Sequence, residues 1–215
     1  VAAIVLVALV AGSWGLRWWQ SDRGVDAAHS PVSAALGRLL TADLATASPN
    51  HPANGPTAGF EEASTPLATP PDLVPDGAPY AFISTQKASN GQTVPVAWSP
   101  CRPIHVVVNT AGAPDNFVPY VREVMGEITR ATGLQVVYDG LTDEPPAANR
   151  EPYQPDRYGD RWAPVIVGFT DEKHIPALAG DVAGVAAPMP ITRTDLDYSI
   201  ITTASLWLDD TLLTE

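Results

Sequence analysis

"RPIHVVVNTAGAPDNFVPYVREVMGEITRATGLQVVYDG" (Arg102–Gly140) decides the fold class. Its first part, Arg102–Asn109, is a short apolar run rich in β-branched residues, the pattern of a buried strand. "GAP" then turns the chain. Beyond it, Val121, Val124, Met125 and Ile128 follow the i, i+3, i+4, i+7 spacing of one helical face. Gly133 offers a left-handed stop for that helix, and Leu134–Gly140 reads as a second apolar strand. Strand, helix, strand at this spacing predicts a βαβ unit: two parallel strands joined by a right-handed crossover.

Working downstream, a long polar, proline-rich loop ("LTDEPPAANREPYQPDRYGDRWAP") leads to a third apolar strand, Pro164–Thr170. "DEKHIPALAGDVAGVAAPMPI" is glycine-rich and reads as irregular. "SIITTASLWLDDTLLTE" (Ser199–Glu215) then alternates as a long strand, with Ile200, Thr202, Ala204 and Leu206 on one face and Ile201, Thr203, Ser205 and Trp207 on the other. Upstream, "PYAFI" and "GQTVPVAWSP" predict a hairpin turning at Asn90-Gly91. The expected class is α/β: a twisted, mostly parallel sheet with one long backing helix, spanning 76–215.

Two segments precede that domain. Val1–Leu16 carries no charge, and at 1.5 Å per residue covers about 24 Å, a little under a bilayer core. With Trp14, Trp18 and Trp19 at its end, 1–20 reads as a transmembrane anchor; the h-region of a signal peptide is the rival, and a buried core helix a third reading. Either of the first two places the domain outside the cytoplasm, at the cell membrane or secreted. Residues 21–75 are rich in Pro, Ala, Ser and Thr and predict a semi-extended linker, interrupted by a short amphipathic helix after Ser30-Pro31.

Composition excludes some functions. The formal net charge is -12, so a phosphate backbone is repelled and nucleic acid is not an expected partner. The single cysteine, Cys101, forms no internal disulfide and reads as a small buried apolar residue. His29, His51, His105 and His174 include no pair four apart, so no helix presents paired imidazoles to zinc; His105 reads as a satisfied strand residue. Neither a G-x-S-x-G elbow nor a phosphate loop occurs. Asp143-Glu144, Asp195 with Asp197, and Asp209-Asp210 could each ligate calcium, but solvated loop charge is the simpler reading. Arg157, Asp160 and Arg161 read as a salt-bridge knot pinning their loop, with a substrate clamp as the alternative.

Taken together, "VAWSPCRPIHVVVNTAGAP", "ATGLQVVYDG", "RYGDRWAPVIVGFTD" and "LAGDVAGVAAP" resemble the N-terminal half of bacterial membrane-anchored, matrixin-like zinc metallopeptidases of the metzincin group, over residues 76–210. The resemblance implies an upper subdomain whose edge strand runs antiparallel and binds extended peptide by strand addition. "GVAAPMPI" approaches that edge, so Gly184, Val185, Ala186 and Ala187 are the implied substrate-binding backbone. It also implies a zinc-binding helix after the last strand, with His-Glu-x-x-His supplying ligands and general base. That motif is absent from these residues, so no catalytic or zinc-binding residue is carried over. The expectations are a fragment of a cell-surface or secreted zinc endopeptidase, or a truncated relative that lost the helix, inactive and zinc-free alone and marginally stable, with the last strand's faces partly exposed. The alternatives are a membrane-tethered, non-catalytic peptide-binding module and a structural exodomain.

Overall fold

The computed structural model describes residues 55–57, 59, 61–69, 71, 81–193 and 198–211. The expected anchor at 1–20, the short helix after Ser30, His29, His51, Asp195 and Asp197 all lie outside them. Among the described residues, no helix is long and apolar enough to cross a membrane.

A small antiparallel hairpin, β1 (Thr85–Lys87) and β2 (Thr93–Pro95), comes first. Its turn sits where expected: Gly91 has φ +79° and donates to Ala88 O at 2.8 Å. The strands start nearer the turn than "PYAFI" suggested. Beyond β2, Val96 N still donates to Ser84 O at 3.0 Å, and the chain then joins the main sheet, where Ala97 O accepts from Ile201 N at 2.9 Å.

The main sheet has five strands: β3 (Ile104–Val108), β4 (Val136–Leu141), β5 (Val165–Thr170), β6 (Gly184–Arg193) and β7 (Tyr198–Asp209). Their spatial order is β4-β3-β5-β7-β6. All neighbours are parallel except β6, which pairs antiparallel with β7. The α/β class and the mostly parallel sheet are as the sequence predicted. The segment read as irregular is not wholly so: its last eight residues, with Thr192 and Arg193 after them, form β6.

Helix α1 (Phe117–Thr132) backs one face. Pro119 is tolerated because it falls in the first turn, and Gly133, at φ 72°, closes the helix by donating to Thr129 O. Phe117, Val121, Val124 and Met125 pack on Val106, Val108, Val165, Val167, Phe169, Ala204, Leu206 and Leu208. The opposite face holds Val107, Ile166, Ile175, Leu178 and Trp207. It is roofed by the 142–164 return, with its one-turn helix α2 (Pro155–Tyr158), and by a 3₁₀ turn at Pro176–Leu178. Gly168 stands beside Trp207, and a Cβ there would lie 2.8 Å from Trp207 Cζ3; the glycine makes room for the indole.

The expectation of exposed faces on the last strand is overturned. Thr202 to Leu208 are buried without exception, because α1 covers one side and the return loop the other. Nor does Glu144 belong to a solvated loop charge pair. It is 5% exposed and meets Arg150, 7% exposed, in a two-pronged contact. Folding the loop back over the sheet desolvates both groups together. Asp143, its sequence neighbour, points outward to Arg157.

Candidate functional site: the β6 edge

Gly184, Val185, Ala186 and Ala187 form the first half of β6, opposite Leu208, Trp207, Leu206 and Ser205 of β7. Their side chains are small, and Ala187 is exposed. Among the described residues β6 is the outermost strand of the sheet, with β7 on one side only.

Which backbone groups β6 turns outward follows from the antiparallel ladder, in which alternate residues bond to the partner strand. Asp209 N donates to Ala183 O at 3.1 Å, so Ala183 bonds inward. By alternation Val185, Ala187 and Met189 also bond inward, while Gly184, Ala186, Pro188 and Pro190 face out. The register shifts between Met189 and Pro190, where Met189 faces Thr203 but Pro190 faces Ile201, leaving Thr202 as an extra residue on β7. Beyond that bulge the same phase on β6 is marked by two contacts on β7. Ile201 N is engaged by Ala97 O, away from β6. Ser199 gives its N–H to Gln86 Oε1 at 2.6 Å and accepts from Gln86 Nε2 at 2.8 Å, again away from β6. Pro190 and Thr192, opposite these residues, therefore face out. Both prolines occupy positions where β7 needs no N–H, which is why a strand containing them survives at a sheet edge.

The edge is held in place by a buried polar cluster beneath β7. Arg150 Nε and Nη2 donate to the two Glu144 oxygens at 2.6 and 2.8 Å. Arg150 Nη1 donates to Thr203 Oγ1 at 2.9 Å, tying the return loop to β7. Gln154 and the Tyr158 hydroxyl complete the carboxylate's shell. Burial pushes the Glu144 carboxyl up, but the hydrogen bonds from Arg150, Gln154 and Tyr158 prevail and hold it below the ordinary range. Burial and the bond to Glu144 push the Tyr158 hydroxyl up. With every oxygen occupied and no open approach, this cluster positions the loop and has no free valence for chemistry.

A second cluster lies at the far side of the sheet. A bulge leaves Asp139 out of the β3–β4 register, and its carboxylate receives Arg161 and His105 Nδ1, the latter at 2.8 Å. His105 Nε2 sits 3.3 Å from Glu61. The expected knot of Arg157, Asp160 and Arg161 thus exists as three separate ties. Arg157 reaches Asp143, Arg161 reaches Asp139, and Asp160 accepts from Thr57 N at 3.0 Å. Through Thr57, Glu61 and Glu62, together with Ala63 N to Cys101 O and Leu67 N to Pro100 O, part of the stretch read as linker is bound along the domain.

The donors for zinc do not fit. His105 and His174 stand on different elements, and each already faces a carboxylate, Asp139 and Asp171. Among the described residues no group of three or more His, Cys, Asp or Glu is arranged to hold a metal ion. Asp209, suggested for calcium, instead accepts from Thr211 N and Oγ1. Comparison with protein-family models, curated proteins and solved structures gives no match.

Sequence reasoning missed Glu144 with Arg150, and the phase of the two prolines. The only trace of the first is an acid and a base six residues apart within one loop. The second needs the pairing register.

Proposed function

We propose that this chain binds extended peptide along the outer edge of β6, and that it does so as the substrate-edge portion of a cell-surface or secreted zinc endopeptidase of the matrixin-like kind. One observation carries the reading: a single antiparallel strand closes an otherwise parallel sheet, with peptide groups at Gly184 and Ala186 that no strand among the described residues pairs. Such groups are a template for strand addition. The four motifs described above support the peptidase part. Hydrolysis requires a zinc-binding helix that these 215 residues do not contain, so for this chain the activity is binding. A coding frame that continues past Glu215 to a His-Glu-x-x-His would support the peptidase reading; a stop codon there would sink it.

A second reading is a membrane-tethered module that only holds peptides. It shares the β6 edge with the first. Both are tested by measuring the polarisation of labelled extended peptides on the 215-residue chain and on Ala186→Pro. The substitution removes an outward N–H and spares the ladder to β7, as Pro188 and Pro190 already do. A loss of about tenfold or more in affinity is expected, the scale of one hydrogen bond to an otherwise unpaired group. Unchanged affinity would remove β6 from the site.

A further inference from the structure

Five outward positions alternate along β6, namely Gly184, Ala186, Pro188, Pro190 and Thr192, and their chemistry is not uniform. The carbonyls form an unbroken row of acceptors. Donors are present at Gly184, Ala186 and Thr192 but missing at the two central positions. An added antiparallel strand exchanges both an N–H and a C=O with each outward residue it faces. Opposite Pro188 and Pro190 its carbonyls would meet a pyrrolidine ring in place of a donor, leaving them unpaired and pushed away.

We propose that Pro188 and Pro190 act as a stop on the β6 edge. They confine strand addition to the Gly184–Ala186 end, and they bar a second copy of this chain from pairing with β6 edge to edge. The first clause rests on the peptide-binding reading above; the second does not. The ligand class is therefore narrower than any extended chain. It is a peptide whose main chain pairs over about three residues, a span of about 7 Å between the two outward positions, and then leaves the sheet. Long uninterrupted β-segments, including β6 of another molecule, are excluded. Exposed edges in natural sheets carry such devices against self-association. Here the blocked and open halves adjoin, so the same strand both admits a short peptide and refuses a long one.

The experiment uses the full chain, with Pro188→Ala and Pro190→Ala singly and together. Peptides that bind the wild type are N-methylated at each residue in turn, and self-association is followed by sedimentation velocity. In the wild type, methylation should abolish binding at no more than two positions, two residues apart. The double variant should add further sensitive positions, bind long peptides at least about tenfold more tightly, since two hydrogen-bond donors are restored, and form dimers at concentrations where the wild type is monomeric. A wild-type footprint of four or more sensitive positions would overturn the stop. So would a double variant that remains monomeric with an unchanged footprint. Circular dichroism checks that each variant is folded, and the wild-type methylation scan decides the first clause even where a variant is not. If the wild type binds no peptide, the peptide-binding reading fails by itself. Sedimentation of the variants then still decides whether the prolines prevent edge pairing.

Discussion

Replacing Arg150 by Ala removes one partner from the buried pair that anchors the 142–164 return to the sheet. Surface ion pairs contribute about 0–1 kcal/mol, but the side chains of Arg150 and Glu144 are only 2% and 6% exposed, and the contact is two-pronged. The relevant scale is that of a buried pair broken on one side, about 3–5 kcal/mol, because Glu144 is left as an uncompensated buried charge. Urea denaturation of the wild type and Arg150→Ala at pH 7 should show a loss in that range. The sign of the pH dependence provides an independent check. In the wild type the Glu144 carboxyl is held below its ordinary value of 4.5, so the unfolded chain takes up the proton first on acidification. Its contribution is present above that value and falls away as pH drops through it. In Arg150→Ala the burial that raises the carboxyl persists while the strongest group opposing it is gone and only Gln154 and Tyr158 remain, so it is neutralised at higher pH than in the wild type. The difference between the two proteins should therefore shrink on going from pH 7 to pH 4. The double change Glu144→Gln with Arg150→Met should recover most of the loss, since no buried charge remains. A cost below about 1 kcal/mol, or a gap that does not vary with pH, would refute the assignment.

Other expectations rest on packing and on the bound N-terminal stretch. Gly168→Ala drives a Cβ to 2.8 Å from Trp207 Cζ3 and 3.2 Å from Asn109 O; overpacking of about 1–3 kcal/mol should appear in thermal unfolding, and a neutral result would mean the indole can shift. Gly133→Ala places a side chain at φ 72° at the end of α1, at a cost of about 1–2 kcal/mol; stability equal to wild type would count against the left-handed cap. Ser205 Oγ is buried without a hydrogen-bond partner among the described residues, so Ser205→Ala should leave stability unchanged or raise it by up to about 1 kcal/mol in urea melts, and a clear loss would reveal a hidden partner. Asp160 is held below the ordinary carboxylate range first by the Thr57 hydroxyl and then by the Thr57 N–H. Thr57→Val should move the Asp160 titration upward in carbonyl NMR, and an unmoved curve would mean the two do not meet in solution. That tie is present above the ordinary carboxylate value and weakens as pH falls through it.

The βαβ unit at Arg102–Gly140 was legible because apolar spacing of period 3.6 and buried β-branched runs are local signals. So were the turn at Gly91, the cap at Gly133 and the two faces of β7, one packing under α1 and the other carrying Trp207. Residues alone did not mark Gly184–Arg193 as a strand, since glycine and two prolines argue against one by propensity. Only its place at the rim, beside β7 and with the prolines turned away from the ladder, makes a strand possible there. Glu144 was misread for a similar reason: nothing within its loop shows that the loop will close over the sheet and bring Arg150 onto it.

The sequence by itself thus determined the class, the order of β3, α1, β4, β5 and β7, and the faces of α1 and β7, because periodicity and turn chemistry act over a few residues. The tertiary structure decided which strand is the edge, which of its peptide groups are free and which charges are buried. Those properties depend on pairing register and on contacts between residues as far apart as Arg150 and Thr203, and no local pattern encodes them.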